Sequence, residues 1–241
     1  MSGPILSVTS VEKSFGAFRA LASVDLELGA GERLGIIGPN GSGKTTLINC
    51  ITGVLMPERG RIRYRSEDIT DLPPHRRARM GIARSFQVPR PFTGMTVLEN
   101  LLVPLDYVRD GQDHRSRAEE VLASVGLHGR RNDYSEMLSQ LELRKLELAR
   151  ALVSKPRILI ADEAMAGLSE AEIDDVLAIL RKLNADGVAV IMIEHIMHAV
   201  MRFSERIVCL ETGRIIAEGT PQQVANDPTV QRVYFGEQNR R

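Results

Sequence analysis

One run of the sequence has the residue types and the spacing of a phosphate-binding loop. Residues 38–45 match the pattern G-x-x-x-x-G-K-[ST], with a short apolar strand before them and a helical pattern after them. Glycines let backbone N–H groups wrap a polyphosphate, and the positive end of a helix adds to the attraction. We expect Lys44 to bind the β- and γ-phosphates and Thr45 to coordinate Mg²⁺. The sequence therefore predicts a nucleoside triphosphate site formed by Gly38, Pro39, Asn40, Gly41, Ser42, Gly43, Lys44, Thr45 and Thr46.

A pair of carboxylates follows another apolar run. Residues 158–161 are apolar, and Asp162 and Glu163 come directly after them. In a parallel sheet the carboxyl end of each strand faces the ligand crevice, so both side chains are predicted beside the phosphates. We expect Asp162 to approach Mg²⁺ through water, and Glu163 to orient or deprotonate the attacking water. A solvated acidic pair is the alternative, but the complete phosphate loop upstream favours hydrolysis.

Two further polar side chains end apolar runs. Gln87 follows residues 82–86, and His195 follows residues 191–194. Taken singly, an ordinary loop glutamine or a surface histidine is the commoner explanation. At strand ends, however, both are predicted beside the same crevice, where a neutral imidazole can contact the γ-phosphate or the water. Gln87 and His195 are therefore candidate catalytic residues of this site.

These residues need a sheet whose strand ends meet at one edge, and the hydrophobic pattern predicts one. Short apolar runs alternate with helical patterns before and after the middle of the chain. The runs lie at residues 33–37, 82–86, 157–161 and 188–193. Strands that alternate with helices indicate a largely parallel sheet covered on both faces.

The pattern changes in the middle of the chain, where helical stretches follow one another. They lie at residues 95–103, 115–125 and 138–154, separated by Gly, Asp and Pro. We therefore predict one domain over residues 1–241, with a nucleotide-binding core formed by 1–88 and 156–241 and a helical subdomain at 89–155.

Composition and charge exclude several classes of protein. The 241 residues include 31 Lys and Arg against 31 Asp and Glu, and this balance argues against binding to nucleic acid through a basic surface. No apolar run approaches the roughly 20 residues that a membrane helix needs. Cys50 and Cys209 are too few for a disulfide framework, and they fit a reducing compartment. We expect the chain to be cytosolic, with both cysteines buried.

Together these features resemble an ATP-binding-cassette (ABC) ATPase over the whole chain. Several strings are also similar to those in the ATP-binding subunits of branched-chain amino-acid importers. They lie at residues 84–92, 95–100, 162–168, 217–221 and 234–236. The resemblance implies an α/β P-loop NTPase, with a mostly parallel sheet, an N-terminal antiparallel β-subdomain and an inserted α-helical subdomain.

The resemblance also implies roles for individual residues. Phe15 matches the aromatic residue that stacks on adenine in ABC proteins, with an exposed phenylalanine at a strand end as the alternative. Gln87 would contact Mg²⁺ and face the groove where a membrane subunit docks. Ser139, in the signature segment, would contact the γ-phosphate bound by the opposite subunit of a head-to-tail dimer.

The implied activity is hydrolysis of ATP with Mg²⁺, coupled to uptake of branched-chain amino acids or a related small polar solute. The implied partners are a second ATP-binding subunit, in a homo- or heterodimer, and transmembrane permease subunits. A periplasmic or extracellular solute-binding protein would act indirectly, and no nucleic acid is expected. The chain would work at the cytoplasmic face of the cell membrane.

The signature segment departs from the family pattern. Residues 138–142 are Leu-Ser-Gln-Leu-Glu, so Leu141 stands where the L-S-G-G-Q-type sequence has a glycine. Leucine there is expected to crowd the partner's phosphate, and it tolerates positive φ poorly. Alternatively, Leu141 packs in the helical subdomain, on one helix face with Leu138, Leu148 and Leu152. Our hypothesis is an asymmetric heterodimer with one strong and one weak hydrolytic site.

Other functions fit parts of the sequence. An ATP-binding regulatory module with little turnover would explain the altered signature, but Glu163 and His195 argue against it. A non-transport ABC ATPase of DNA repair or translation usually has a long coiled-coil insertion or a second cassette. A small-molecule P-loop kinase has no need for Gln87, Glu163 and His195 together.

A short basic run remains outside these functions. Residues 75–79 read His-Arg-Arg-Ala-Arg. We expect them to form a solvated helix face, with contact to anionic lipid headgroups as the alternative.

Overall fold

Strands and helices alternate along the chain in the order that the hydrophobic pattern predicts. The computed structural model describes residues 3–85, 89–106 and 113–235. The strands are β1 (Leu6–Phe15), β2 (Phe18–Leu28), β3 (Arg33–Ile37), β4 (Arg59–Tyr64), β5 (Glu67–Asp68), β6 (Ile82–Ser85), β7 (Ile158–Asp162), β8 (Ala189–Ile193), β9 (Arg206–Glu211) and β10 (Arg214–Gly219). The helices are α1 (Lys44–Thr52), α2 (Pro74–Met80), α3 (Val97–Leu105), α4 (His114–Ser124), α5 (Gln140–Leu152), α6 (Glu170–Ala185), α7 (Met197–Phe203), α8 (Pro221–Ala225) and α9 (Pro228–Phe235).

The larger sheet has the strand order β10-β9-β3-β8-β7-β6. Every neighbouring pair from β9 to β6 is parallel, and β10 pairs antiparallel with β9. The order places β3 centrally, between β8 and β9, so the phosphate loop begins at the middle of the sheet. A second, antiparallel sheet has the order β2-β1-β4-β5. The predicted fold class, including the antiparallel β-subdomain and the inserted helices, is confirmed.

The parallel strands are buried on both faces, as their continuous apolar runs require. Ile36 belongs to the apolar cluster shared with α1 and the antiparallel sheet. Its neighbour Ile37 belongs to the cluster on the opposite face, with residues from α3 to α7. Because successive side chains of a strand point to opposite faces, these two clusters hold the sheet between two layers.

The helices α3, α4 and α5 lie between β6 and β7 in sequence. α3 begins at Val97, two residues later than the pattern indicated, and its cap residue Thr96 forms a capping box with Glu99. α5 begins after Ser139, which forms the same kind of box with Glu142. The division at residues 89–155 stays a prediction.

The basic run on α2 is not a uniformly solvated face. Arg77 is fully buried, so the prediction for residues 75–79 is wrong at that position. Its guanidinium donates hydrogen bonds to the carbonyl oxygens of Cys50 at 2.6 Å and Ile51 at 2.9 Å. These carbonyls lie in the last turn of α1, where a cation opposes the negative end of the helix dipole. Arg77 therefore holds the far end of the helix that begins at the phosphate loop.

Both cysteines are free and buried, as predicted. Within the three described ranges of the chain, no helix combines the length and the hydropathy that crossing a bilayer requires.

Candidate nucleotide site

The loop from residue 38 to residue 43 joins the centre of the parallel sheet to α1. Gly38 has φ +151°, and a side chain there would collide with the carbonyl oxygen of Leu210. Gly43 has φ +106°, and its added Cβ would lie 2.5 Å from the carbonyl oxygen of Ala20. The glycines at these two positions are required because the neighbouring strands leave no room for a side chain.

Long-range hydrogen bonds hold this loop in place. The carbonyl oxygen of Ser42 accepts a hydrogen bond from the amide of Gly213 at 2.9 Å. The amide of Gly38 donates to the hydroxyl oxygen of Tyr234, on α9, at 2.6 Å. Both partners come from the C-terminal part of the chain, which therefore takes part in shaping the loop.

Lys44 is buried at the start of α1. Its Nζ donates to the carbonyl oxygens of Gly38 at 2.6 Å and Pro39 at 3.0 Å. Burial lowers the pKa of Lys44, while the negative charges of Glu163 and Asp162 act in the opposite direction. The ammonium group is thus held at the loop, and the acidic pair of β7 is close enough to affect its charge.

The other polar residues of the loop present groups suited to phosphate. The hydroxyl oxygen of Ser42 is buried and has no hydrogen-bond partner among the described residues. Asn40 and Thr45 are exposed, and Thr46 is half-buried. Buried hydroxyl groups in proteins normally have a hydrogen-bond partner, which a ligand can supply. A loop with this hydroxyl, a buried ammonium group and room only for glycine fits a bound polyphosphate.

Asp162 ends β7 and is almost fully buried. Its Oδ2 accepts a hydrogen bond from Nη2 of Arg84, on β6, at 2.5 Å. The other guanidinium nitrogen of Arg84 donates to the Asn49 side chain of α1 at 2.7 Å. Arg84 therefore fixes the acidic strand end to the helix of the phosphate loop. Arg84 was not among the predicted site residues. The feature of the sequence that indicates its role is its charge within a short apolar run.

Glu163 and His195 lie together at the ends of β7 and β8. Glu163 Oε1 and His195 Nε2 are 3.0 Å apart. Glu163 has φ +47°, in the left-handed region that a non-glycine residue seldom occupies, and its amide donates to the carbonyl oxygen of Ile193. Such backbone strain is concentrated at functional sites. The structure brings these two predicted residues into one pair.

Sequence reasoning missed the carboxylate next to His195. Glu194 is only 2% exposed, and its Oε1 accepts a hydrogen bond from the amide of Met165 at 2.9 Å. Burial raises the pKa of Glu194 to about 7, and the negative charge of Glu163 acts in the same direction. Arg144, on α5, opposes this shift. An acidic residue directly after a fully apolar strand was the signal for it.

The roles of the two remaining predicted residues, Gln87 and Phe15, stay predictions for different reasons. Gln87 lies outside the described residues. Phe15 ends β1, is 50% exposed, and lies 5.8 Å from the ammonium group of Lys13. It pairs with Phe18 across the hairpin of β1 and β2. Its exposure fits either adenine stacking or an exposed strand end, so its role stays a prediction.

The signature segment has a local structure of its own. The Ser139 hydroxyl accepts a hydrogen bond from the amide of Glu142, and the Glu142 carboxylate accepts one from the amide of Ser139 at 2.8 Å. Leu141 is half-buried and packs against the apolar cluster beneath α5. It lies within the helix and has no positive φ. The packing alternative is therefore confirmed, except that Leu138 contributes to the cluster from before the helix and not from the same helix face. The backbone at Leu141 needs no positive φ, so no conflict with a left-handed conformation arises.

The donors for a metal are few at this site. Within the described part of the chain, no group of three or more His, Cys, Asp or Glu side chains could hold a metal ion by itself. Mg²⁺ that accompanies a nucleotide needs only one or two protein oxygens, since phosphates and water complete its shell. The hydroxyl of Thr45 and the carboxylate of Asp162 are oxygen donors of that kind, so these residues fit a nucleotide-bound Mg²⁺.

Comparison with known proteins agrees with this geometry. The family model described as "ABC transporter" matches residues 21–166, and the model described as "Branched-chain amino acid ATP-binding cassette transporter" matches residues 214–238. The high-affinity branched-chain amino acid transport ATP-binding protein LivG of Escherichia coli is 39% identical, over 98% of this chain and 100% of LivG.

Two further similarities, to a second relative and to a solved structure, complete the comparison. The lipopolysaccharide export system ATP-binding protein LptB of Haemophilus influenzae is 35% identical, over 97% of this chain and 98% of LptB. The ADP conformation of MJ1267, an ATP-binding cassette of an ABC transporter, matches with a TM-score of 0.89 at 33% identity, over 97% of this chain and 99% of that chain. Relatives at this level of similarity include a component of branched-chain amino acid transport and a component of lipopolysaccharide export.

Proposed function

Since this chain belongs to the ABC transporter family and is one of its ATPases, we propose that it energises uptake of branched-chain amino acids or a related small polar solute. The observation that carries this proposal is the match of residues 214–238 to the branched-chain amino acid cassette model. The 39% identity with LivG, against 35% with LptB, supports amino-acid transport over lipopolysaccharide export.

The geometry supports a distinct role for each residue at the phosphate loop and at the strand ends. Lys44 and backbone amides of the phosphate loop hold the phosphates of ATP, because the loop combines a buried ammonium group with glycines where a side chain has no room. Glu163 accepts a proton from the attacking water. His195 contacts the γ-phosphate or the water, and it lies 3.0 Å from Glu163. Gln87 completes the catalytic set.

Mg²⁺ would be held by Thr45, Asp162 and Gln87. When bound, it would neutralise charge on the β- and γ-phosphates. Arg84 keeps Asp162 at the strand end through their ion pair. Asp162 therefore has a fixed position from which to act directly or through water.

The complete site would require a second ATP-binding subunit, the same chain or a different one. Ser139 is exposed at the start of α5, and its hydroxyl is oriented by the cap with Glu142. From this place it would contact the γ-phosphate in the partner's loop, while Phe15 stacks on adenine within its own subunit. The nucleotide-binding core would comprise residues 1–88 and 156–241, and the helical subdomain residues 89–155.

A group of exposed apolar side chains suits the permease partner. Phe92 is 42% exposed, Met95 37%, Tyr134 51% and Met137 64%. Backbone and side-chain hydrogen bonds at Ser135 join their two segments, with the Ser135 hydroxyl donating to the carbonyl oxygen of Phe92. Exposed apolar groups of this kind mark interaction sites. Docking here would place the chain at the cytoplasmic face of the membrane, with a solute-binding protein acting on the other side.

The test combines the chain with its permease subunits and solute-binding protein in proteoliposomes, with ATP inside. We expect uptake of radiolabelled leucine, isoleucine or valine. Glu163→Gln should leave ATP binding intact and lower both uptake and ATP hydrolysis by more than about 100-fold. Glu120→Gln, an exposed position on α4, is the matched control and should change neither. Undiminished hydrolysis by Glu163→Gln would refute its role, and normal hydrolysis without amino-acid uptake would refute the substrate.

A further inference from the structure

The C-terminal helix contacts the first residue of the phosphate loop. The hydroxyl oxygen of Tyr234 accepts a hydrogen bond from the amide of Gly38 at 2.6 Å, across 196 positions of sequence. On the side of β9 there is no room even for a Cβ at Gly38, which would collide with the carbonyl oxygen of Leu210. The loop is therefore held between β9 on one side and the Tyr234 hydroxyl at its amide.

The helix that carries Tyr234 is fixed to the core. The Asp227 carboxylate accepts hydrogen bonds from the amides of Thr229 at 2.7 Å and Val230 at 3.2 Å, at the start of α9. Val230 is buried in the same apolar cluster as Val224 of α8. A capped helix with a buried side chain holds its tyrosine in a defined place.

The chemical state of the hydroxyl suits a permanent contact. Burial raises the pKa of Tyr234 to about 12, because the phenolate would lose its hydration. The phenol is therefore neutral at physiological pH, and it offers an acceptor oxygen to Gly38 while keeping its own proton.

We propose that Tyr234 is a positioning residue for ATP binding: α9 fixes the backbone of Gly38 through the Tyr234 hydroxyl, and so sets the affinity of the loop for phosphates. The inference rests on the proposed role of residues 38–46 in binding the phosphates. It gives the C-terminal segment a function inside the nucleotide site, in addition to its place in the fold.

The test uses the full chain with Tyr234→Phe, which removes one oxygen and keeps the ring. Without its acceptor, the buried amide of Gly38 has no partner and the loop loses its fixed position. We expect the Kd for ATP and the KM to rise about tenfold. The kcat at saturating ATP should stay within about twofold, because Glu163 and His195 lie on other strands. Tyr64→Phe, at a buried tyrosine of β4, is the matched control and should leave both constants unchanged.

An irreversibly misfolded fraction lowers the number of binding sites and leaves Kd and KM unchanged, whereas reversible unfolding of Tyr234→Phe would raise the apparent Kd. A thermal melt of Tyr234→Phe without ATP therefore accompanies the titration, and Kd and KM are measured at a temperature where the variant is folded. A lower kcat with unchanged KM, or no change at all, would overturn the inference. Lys44→Ala separates this failure from a failure of the proposed site. If Lys44→Ala loses ATP binding while Tyr234→Phe does not, only the role of Tyr234 is refuted; if Lys44→Ala binds ATP normally, the phosphate site itself is refuted.

Discussion

The phosphate loop (residues 38–46) and the signature segment (residues 138–142) both have proposed roles in binding nucleotide, the loop in its own subunit and the segment in the partner's, but their backbones are held in different ways. The loop is fixed by distant parts of the chain, through the amide of Gly213 and the hydroxyl of Tyr234. The backbone at the helix start of the segment is capped by the segment's own residues, since Ser139 and Glu142 cap each other.

In these two regions, how complete the sequence motif is and how locally the backbone is held do not go together. The phosphate motif is complete in the sequence, yet its shape depends on contacts more than 150 residues away, such as the one with Tyr234. The signature motif is altered, yet the helix start is formed by a purely local capping box. A change near the loop should therefore act through steric conflict with distant strands, and a change in the segment through its exposed surface.

The largest effect is expected where the loop meets β9. Gly38→Ala would place a Cβ against the carbonyl oxygen of Leu210 and 2.7 Å from the Ser42 hydroxyl. The Ser42 hydroxyl can rotate away, but the Leu210 carbonyl cannot yield without moving β9, and φ +151° is strained for alanine. We therefore expect the Kd for ATP to rise more than about 100-fold. Isothermal titration calorimetry measures this directly.

Gly129→Ala is the matched control, because an added Cβ at Gly129 meets nothing within 4 Å. It should leave the Kd for ATP unchanged. An unchanged Kd for Gly38→Ala would show that the loop is not held against β9, and the contrast between the two regions would then fail.

Sequence patterns predicted what depends on local periodicity. The bounds of β3 agree with the prediction, and Glu163 and His195, expected at strand ends beside one crevice, lie 3.0 Å apart. Patterns did not predict the burial of Arg77, because a basic run looks the same whether one of its residues faces carbonyls or water. The contact of Tyr234 with Gly38 was equally invisible, since nothing in either segment specifies the other.

A polar bridge joins the signature helix to the catalytic strand ends. Glu194 holds the amide of Met165, and the next carbonyl, that of Ala166, accepts hydrogen bonds from Gln140 at 3.3 Å and Arg144 at 3.0 Å. Gln140 and Arg144 lie on α5, directly after the signature serine. The loop after β7 is thus held from the catalytic strand ends on one side and from the signature helix on the other.

The second effect concerns the pH dependence of this bridge. Burial raises the pKa of Glu194 from 4.5 to about 7, so the folded state binds a proton that the unfolded state releases in this interval. The contribution of Glu194 to stability is therefore present below pH 4.5 and is lost as the pH rises through 7, by about 3 kcal/mol. Glu194→Gln keeps an acceptor for Met165 but does not titrate.

Urea unfolding at several pH values between 4.5 and 8 checks this prediction. The free energy of unfolding of the wild type, relative to Glu194→Gln, should fall by about 3 kcal/mol across the range. Glu136→Gln, at an exposed position, should show no such trend. A difference between wild type and Glu194→Gln that is the same at every pH would show that Glu194 does not titrate in this interval.

The smallest effect concerns the signature segment. Leu141 packs partly against the core of the helical region, but as a half-buried residue in the first turn of α5 it still presents part of its side chain outward. In a homodimer this part would crowd the partner's γ-phosphate, and we expect slow hydrolysis by the purified chain alone. Leu141→Gly should raise the ATPase rate of the chain alone about tenfold, equivalent to about 1.4 kcal/mol in the barrier.

Leu143→Gly is the matched control, since Leu143 lies on the same helix and packs against the same apolar cluster. Both substitutions weaken the helix by about 1 kcal/mol, so a gain that only Leu141→Gly shows must come from the surface beside Ser139. Brisk hydrolysis by the unaltered chain would remove the reason for a different partner subunit. A gain with both variants, or with neither, would mean that Leu141 serves packing alone. The phosphate loop and the signature segment would then differ in how their backbones are held, but Leu141 would not weaken the hydrolytic site.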